Sequence, residues 1–219
     1  MKNFADKQES VLSQIKDKFC QRRDFSGCDL SGIDLAGVDL TGINLIGADL
    51  SYANLCGCIL TGANLNGANL KQANLREAKL DEASLSEVNL NDADLTFANL
   101  CGAFLWRSQC CGTNFWGASL CETDLRESNL SQAKLIEASL IEANLTQANL
   151  TATKLCGANL LEADLTQVNL TAADLTWTNL TQANLSDATL RDTKIIFAKL
   201  RNTIMPDGKI HNPQIAIVQ

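Results

Sequence analysis

Ala63-Asn64-Leu65-Asn66-Gly67-Ala68-Asn69-Leu70-Lys71-Gln72-Ala73-Asn74-Leu75 states one five-residue phrase and repeats it: a small residue, Asn, Leu and two variable positions. Outward from this stretch, Leu stands at 30, 35, 40, 45, 50 and 55, then at nearly every fifth position to Leu190. Phe25, Cys110, Phe115 and Ile195 replace it before Leu200 closes the series. From 25 to 200 in steps of five there are 36 centres, without an insertion or deletion. Two residues before each centre sits a small or β-branched residue, such as Ala48, Val88, Thr123 or Val168. One residue before it is usually Asn or Asp.

A period of five fits neither the 3.6 of a helix nor the 2 of a long strand. It fits a very short strand followed by a bend. The small residue and the Leu are two apart and face the same way, inward; the Asn or Asp between them faces out. The two variable positions turn the chain.

These residues closely resemble the pentapeptide-repeat family over roughly 23–203. The resemblance implies an all-β solenoid, a right-handed quadrilateral parallel β-helix with four pentapeptides per square coil. At four per coil, 36 pentads make about nine coils, a rod roughly 43 Å long at about 4.8 Å per coil. Four Leu and four small residues fill a square of side about 10 Å, leaving no room for a substrate pocket.

A rod of this kind needs its two ends covered. In residues 1–22, Phe4, Val11, Leu12, Ile15 and Phe19 fall on one helical face, predicting an N-terminal cap helix near 4–18. The coils are expected over 23–203 and a C-terminal turn-and-strand cap over 204–219. There Met205-Pro206-Asp207-Gly208 signals a turn, and Ile215-Ala216-Ile217-Val218 is expected to add a strand. The stretch Thr203–Gly208 resembles the ending of cyanobacterial family members.

The net charge of −7 argues against direct nucleic-acid binding. Charged residues recur through Lys18, leaving no apolar signal region, and no run of about 20 apolar residues offers a membrane span. The expected location is the cytoplasm, where the nine cysteines would be mostly free thiols.

With 20 residues per coil, positions 20 apart lie one above another, which makes the sequence a surface map. One corner collects Phe97, Trp116, Ile136, Cys156, Trp177, Ile196 and Phe197. The next collects Cys101, Cys121, Ile141 and Leu161 beside Glu122, Glu142 and Glu162. An outward apolar ridge near an acidic ladder is a candidate partner surface. The candidate residues are Phe97, Trp116, Ile136, Trp177, Ile196 and Phe197, with the three glutamates. Cys101 and Cys121 stack as free thiols, and Cys20 and Cys28 are a candidate disulfide holding the cap.

No residue set suggests catalysis. The chain has a single His, His211, with no nucleophile or carboxylate set around it in sequence, and no four converging ligands for zinc. No cofactor and no metal are expected. The expected function is a non-enzymatic protein-interaction scaffold, regulatory in a cyanobacterium-like cell, as monomer or weak homodimer, with another protein as partner and no membrane. The resemblance also implies an alternative, a DNA mimic that binds a type II topoisomerase (gyrase). Asp24, Asp29, Asp34, Asp39 and Asp49 form an early acidic series that would serve it.

Overall fold

A computed structural model describes residues 13–15 and 23–211. Each residue before a centre forms a single parallel bridge with the residue 20 positions on, from Asp24↔Asn44 through to Asn184↔Ile204. Four pentads therefore make one coil, and the register is unbroken, including across Gln109, which bridges both Asn89 and Asn129.

One pentad shows why the phrase has its composition. The N–H of Ala63 donates to Leu60 C=O (2.9 Å), closing a turn; that of Asn64 donates to Ile43 C=O in the coil before (2.9 Å). Leu65 N–H donates to Ser84 C=O (2.7 Å) and Gly67 N–H to Ser86 C=O (2.9 Å), both in the coil after. Asn66 N–H has no backbone acceptor, and the side chain of Asn64 supplies one: Oδ1 accepts at 3.3 Å. Asn and Asp before the centre are thus the acceptor for the one amide that coil stacking leaves over. Their side chains also link coils, as in Asn74 Nδ2 to Asn54 Oδ1 (3.0 Å) and Asn89 Nδ2 to Asn69 Oδ1 (3.0 Å).

The second residue after every centre has a positive φ, from Gly27 to Asn202. With the turn hydrogen bond and no positive φ at the residue before it, this is the type II pattern, which favours Gly. Yet Gln132, Ala152, Trp177 and Phe197, among others, occupy it at φ between 56° and 62°. At Gln132, Ala152 and Trp177 the bond from this residue's N–H to the next coil holds the conformation against the cost to an L side chain, about 1–2 kcal/mol; at Phe197 the turn is tied to the coil before, where Trp177 N–H donates to Ile196 C=O.

Inside, the Leu columns and the small-residue columns are buried from Leu40 to Leu185, and more open in the end coils, as at Val38, Leu190 and Leu200. Inward Thr hydroxyls reach a carbonyl 23 residues back, as in Thr113 to Leu90 (2.7 Å) and Thr153 to Leu130 (2.9 Å). Among the described residues no buried side-chain polar atom lacks a partner.

The ends differ from the middle. Residues 13–15 are helical and Ile15 packs against the core; the rest of the expected cap helix lies outside the described residues. At the other end β1 (Thr203–Ile204) pairs antiparallel with β2 (Ile210–His211) around a turn at Met205–Gly208. Pro206 C=O accepts from Asp187 N–H (3.2 Å). Beside this cap Ile195, at a core position, is 41% exposed, and no described residue forms a further coil beneath it. Residues 215–218 lie outside the described residues.

Candidate interaction surface

The type II turns make the four corners, where most side chains of the two residues after each centre stand outside the core. The aromatic corner holds two ring pairs. Phe97 and Trp116 sit 5.4 Å apart, tilted by 42°. Trp177 and Phe197 stack at 4.4 Å and 22°. Both arise from residues in successive coils, and Trp177 and Phe197 are 63% and 66% exposed. Ile196 is exposed and Ile136 half-buried between the two pairs. The rings are held by backbone that is hydrogen-bonded between coils: Phe97 N–H donates to Trp116 C=O and Trp177 N–H to Ile196 C=O, both at 3.0 Å.

Glu122, Glu142 and Glu162 occupy the turn position of the next corner, all exposed and all with φ of 56–58°. Beside them runs a column of thiols and hydroxyls. Cys101 Sγ lies 2.9 Å from Ser119 Oγ, and Cys121 Sγ lies 3.2 Å from Ser139 Oγ. Both cysteines are free. Cys28 is a free, half-buried thiol; Cys20, the other half of the candidate cap pair, lies outside the described residues.

Two inward thiols are held neutral. Complete burial pushes Cys110 up to about 12, against the lowering effect of a 3.3 Å contact with Ser108. Burial likewise raises Cys58 to about 11, against the lowering effect of the Val38 and Gly37 backbone amides; its thiol donates to Leu35 C=O (2.7 Å). Neither is a nucleophile at neutral pH. Among the described residues no group of three or more His, Cys, Asp or Glu is placed to hold a metal ion. No described helix is long and apolar enough to cross a membrane. His211 is exposed in β2.

A further cluster escaped the sequence reading. On another corner Glu127 accepts from Arg107 Nε (2.8 Å) and from Trp106 Nε1 (3.3 Å), while the Arg107 guanidinium lies 4.3 Å from the Trp106 ring centroid. The hydrogen bond from Arg107 holds the Glu127 carboxyl below its ordinary range. The signal was the 20-residue step from 107 to 127.

The five early aspartates have local work. Asp24, Asp29, Asp34, Asp39 and Asp49 each accept the N–H two residues on, at 3.0–3.2 Å.

Among solved structures, HetL is similar, a pentapeptide repeat protein involved in heterocyst differentiation regulation from the cyanobacterium Nostoc sp. strain PCC 7120. It is 32% identical, with 96% of this chain and 100% of HetL covered and a TM-score of 0.51. QnrB1, a plasmid-mediated fluoroquinolone resistance protein, is 22% identical, with 82% of this chain and 92% of QnrB1 covered and a TM-score of 0.61; it shares the fold. No curated protein matches. The family model described as pentapeptide repeats matches in eight copies, over stretches from 24–62 to 169–205. Proteins of this family form right-handed quadrilateral β-helices. With its repeats matched from end to end of the coils, the chain belongs to the pentapeptide-repeat family.

Proposed function

We propose that the chain is a non-enzymatic protein-interaction scaffold, regulatory in a cyanobacterium-like cell, and that the aromatic corner is its binding surface. The observation that carries this reading is the pair of ring stacks, Phe97–Trp116 and Trp177–Phe197, on one exposed corner of a backbone tied to its neighbouring coils by hydrogen bonds. Aromatic side chains bury large areas and lose little entropy, and a rigid support lowers the ordering cost of binding. The filled core supports a role without chemistry, and proteins of this family are generally non-enzymatic scaffolds. The early aspartates are engaged by their own backbone, which weighs against reading them as a phosphate-like array.

The test is capture from the source cell by tagged protein, comparing the natural sequence with a Trp116→Ala/Trp177→Ala variant. Circular dichroism should show the coils intact in both. One anchor residue is worth about 2 kcal/mol, so each truncation should weaken a true partner by roughly thirtyfold. Recovery of the same proteins in the same amounts would rule out the corner as the binding surface.

A further inference from the structure

The aromatic corner is one edge of a patterned strip. Following a coil from 114 to 122, the chain passes the aromatic corner at Trp116, a flat face at Ser119, and the thiol–aliphatic corner at Cys121. The flat face is floored by small neutral residues, Asn99, Ser119, Ser139, Asn159 and Asn179, all half-buried. One shoulder is the aromatic corner; the other is Cys101, Cys121, Ile141 and Leu161. The 2.9 Å and 3.2 Å contacts of Cys101 and Cys121 with the floor serines place this second shoulder against the face.

Charge lies beyond the shoulders and differs in sign. Outside the aromatic corner the preceding face carries exposed Lys134, Lys154 and Lys194, with half-buried Asp174 between the last two; outside the thiol corner stand Glu122, Glu142 and Glu162. Lys194 lies 4.0 Å from Asp174. Lys134, Lys154 and the three glutamates form no ion pair among the described residues. Between Asn99 and Asn179, Glu137 is the one charged residue on the floor and its aromatic shoulder.

Resting on the scaffold reading, we propose that this strip receives an amphipathic α-helix of the protein partner. The helix lies lengthwise on the serine–asparagine face, with carboxylates along the flank facing the lysines and cations along the flank facing the glutamates. A strand finds no open ladder along this face, because the face amides are already bonded between coils, as in Ser119 N–H to Ala98 C=O (2.9 Å) and Leu120 N–H to Ser139 C=O (2.6 Å). Dimensions also select a helix. The strip repeats every ~4.8 Å, close to the ~5.4 Å pitch of a helix and far from the ~6.8 Å same-face repeat of a strand. A face about 10 Å wide matches a helix about 10–12 Å across. The three coil steps from Lys134 to Lys194 span roughly 14 Å, about ten residues of helix. Opposite charge on the two flanks fixes the direction in which the helix lies, since reversal would set like charges together.

Three stapled 16-residue helical peptides with the same Leu-lined inner face serve as probes. One carries Glu on one flank and Lys on the other, one Glu on both, one Lys on both. The mixed peptide is expected to bind the natural protein at least tenfold more tightly than either uniform one, read by tryptophan fluorescence at low and moderate salt. In a Lys134→Glu/Lys154→Glu variant the preference should pass to the all-Lys peptide. In a Glu122→Lys/Glu142→Lys/Glu162→Lys variant it should pass to the all-Glu peptide. Equal affinities, an unchanged ranking in both folded variants, or no binding by any peptide would overturn the proposal. If captured partners still depend on Trp116 and Trp177 when the ranking is flat, the scaffold reading stands and the charged-helix inference alone falls.

Discussion

The ring of Phe97 lies over Gly117 in the next coil: a Cβ at position 117 would come within 2.6 Å of Phe97 Cδ1. The ring reaches this seat because both residues occupy the same turn position, at φ of 58° and 62°, and Gly117 presents no side chain. The Phe97–Trp116 pair therefore depends on a glycine whose N–H is bonded away from the rings, to Ile136 C=O (3.0 Å) in the coil after.

Gly117→Ala should displace the ring and separate the pair. Gly157 provides the control, since its nearest neighbour, Glu137 Cγ, would stand at an ordinary 3.7 Å. Gly157→Ala should cost the left-handed backbone term of about 1–2 kcal/mol, offset by about 0.5–1 kcal/mol from the stiffer unfolded chain, a net loss of up to about 1 kcal/mol. Gly117→Ala should cost more, by about 0.5–1.5 kcal/mol for the lost ring contact, and should alter the near-ultraviolet circular dichroism. Identical losses in denaturant titrations, with unchanged spectra, would show that the ring has no seat there.

Alanine at a left-handed turn position reverses an ordinary rule. Ala152 and Ala172 have φ of 56° and 58°. Replacing Ala by Gly usually destabilises by about 0.5–1 kcal/mol through unfolded-chain entropy. Here relief of about 1–2 kcal/mol of steric cost opposes it, so Ala152→Gly and Ala172→Gly should be neutral or stabilising by up to about 1 kcal/mol. A loss of a full kcal/mol in chemical denaturation would show that the turn holds no such cost.

Cys110 makes stability fall at alkaline pH. Its thiol is pushed up to about 12 by burial, whereas in the unfolded chain it titrates near its ordinary value of about 8.5. Between these values the folded state binds more protons than the unfolded state, so stability decreases as pH rises. At pH 10.5, two units above the unfolded value, the cost approaches about 2.7 kcal/mol. The contribution of Cys110 is full below about pH 8.5 and is lost progressively above it. Cys58, raised to about 11, acts in the same direction. Urea titrations at pH 7.5 and 10.5 should show a smaller alkaline loss for Cys110→Ala than for the natural sequence. Parallel losses in the two proteins would mean that Cys110 ionises freely in the fold.

The inward columns were legible because a strict five-residue period admits one assignment of faces, and the register indeed runs through Cys110 and Phe115 without a break. Which residues share a corner was also legible, once the resemblance supplied four pentads per coil. The left-handed turns at Trp177 and Phe197 were not legible, because local preference there favours Gly. Bonds to the neighbouring coil impose that conformation, and those bonds exist only after stacking. The sequence placed Phe97, Trp116, Trp177 and Phe197 on one corner; their pairing, and the exposure of Ile195 in the last coil, were decided by the tertiary structure. Column membership follows from counting along the chain, whereas side-chain direction and burial depend on what the adjacent coil presents: a glycine seat at 117, a second ring at 197, and, among the described residues, no further coil beneath 195.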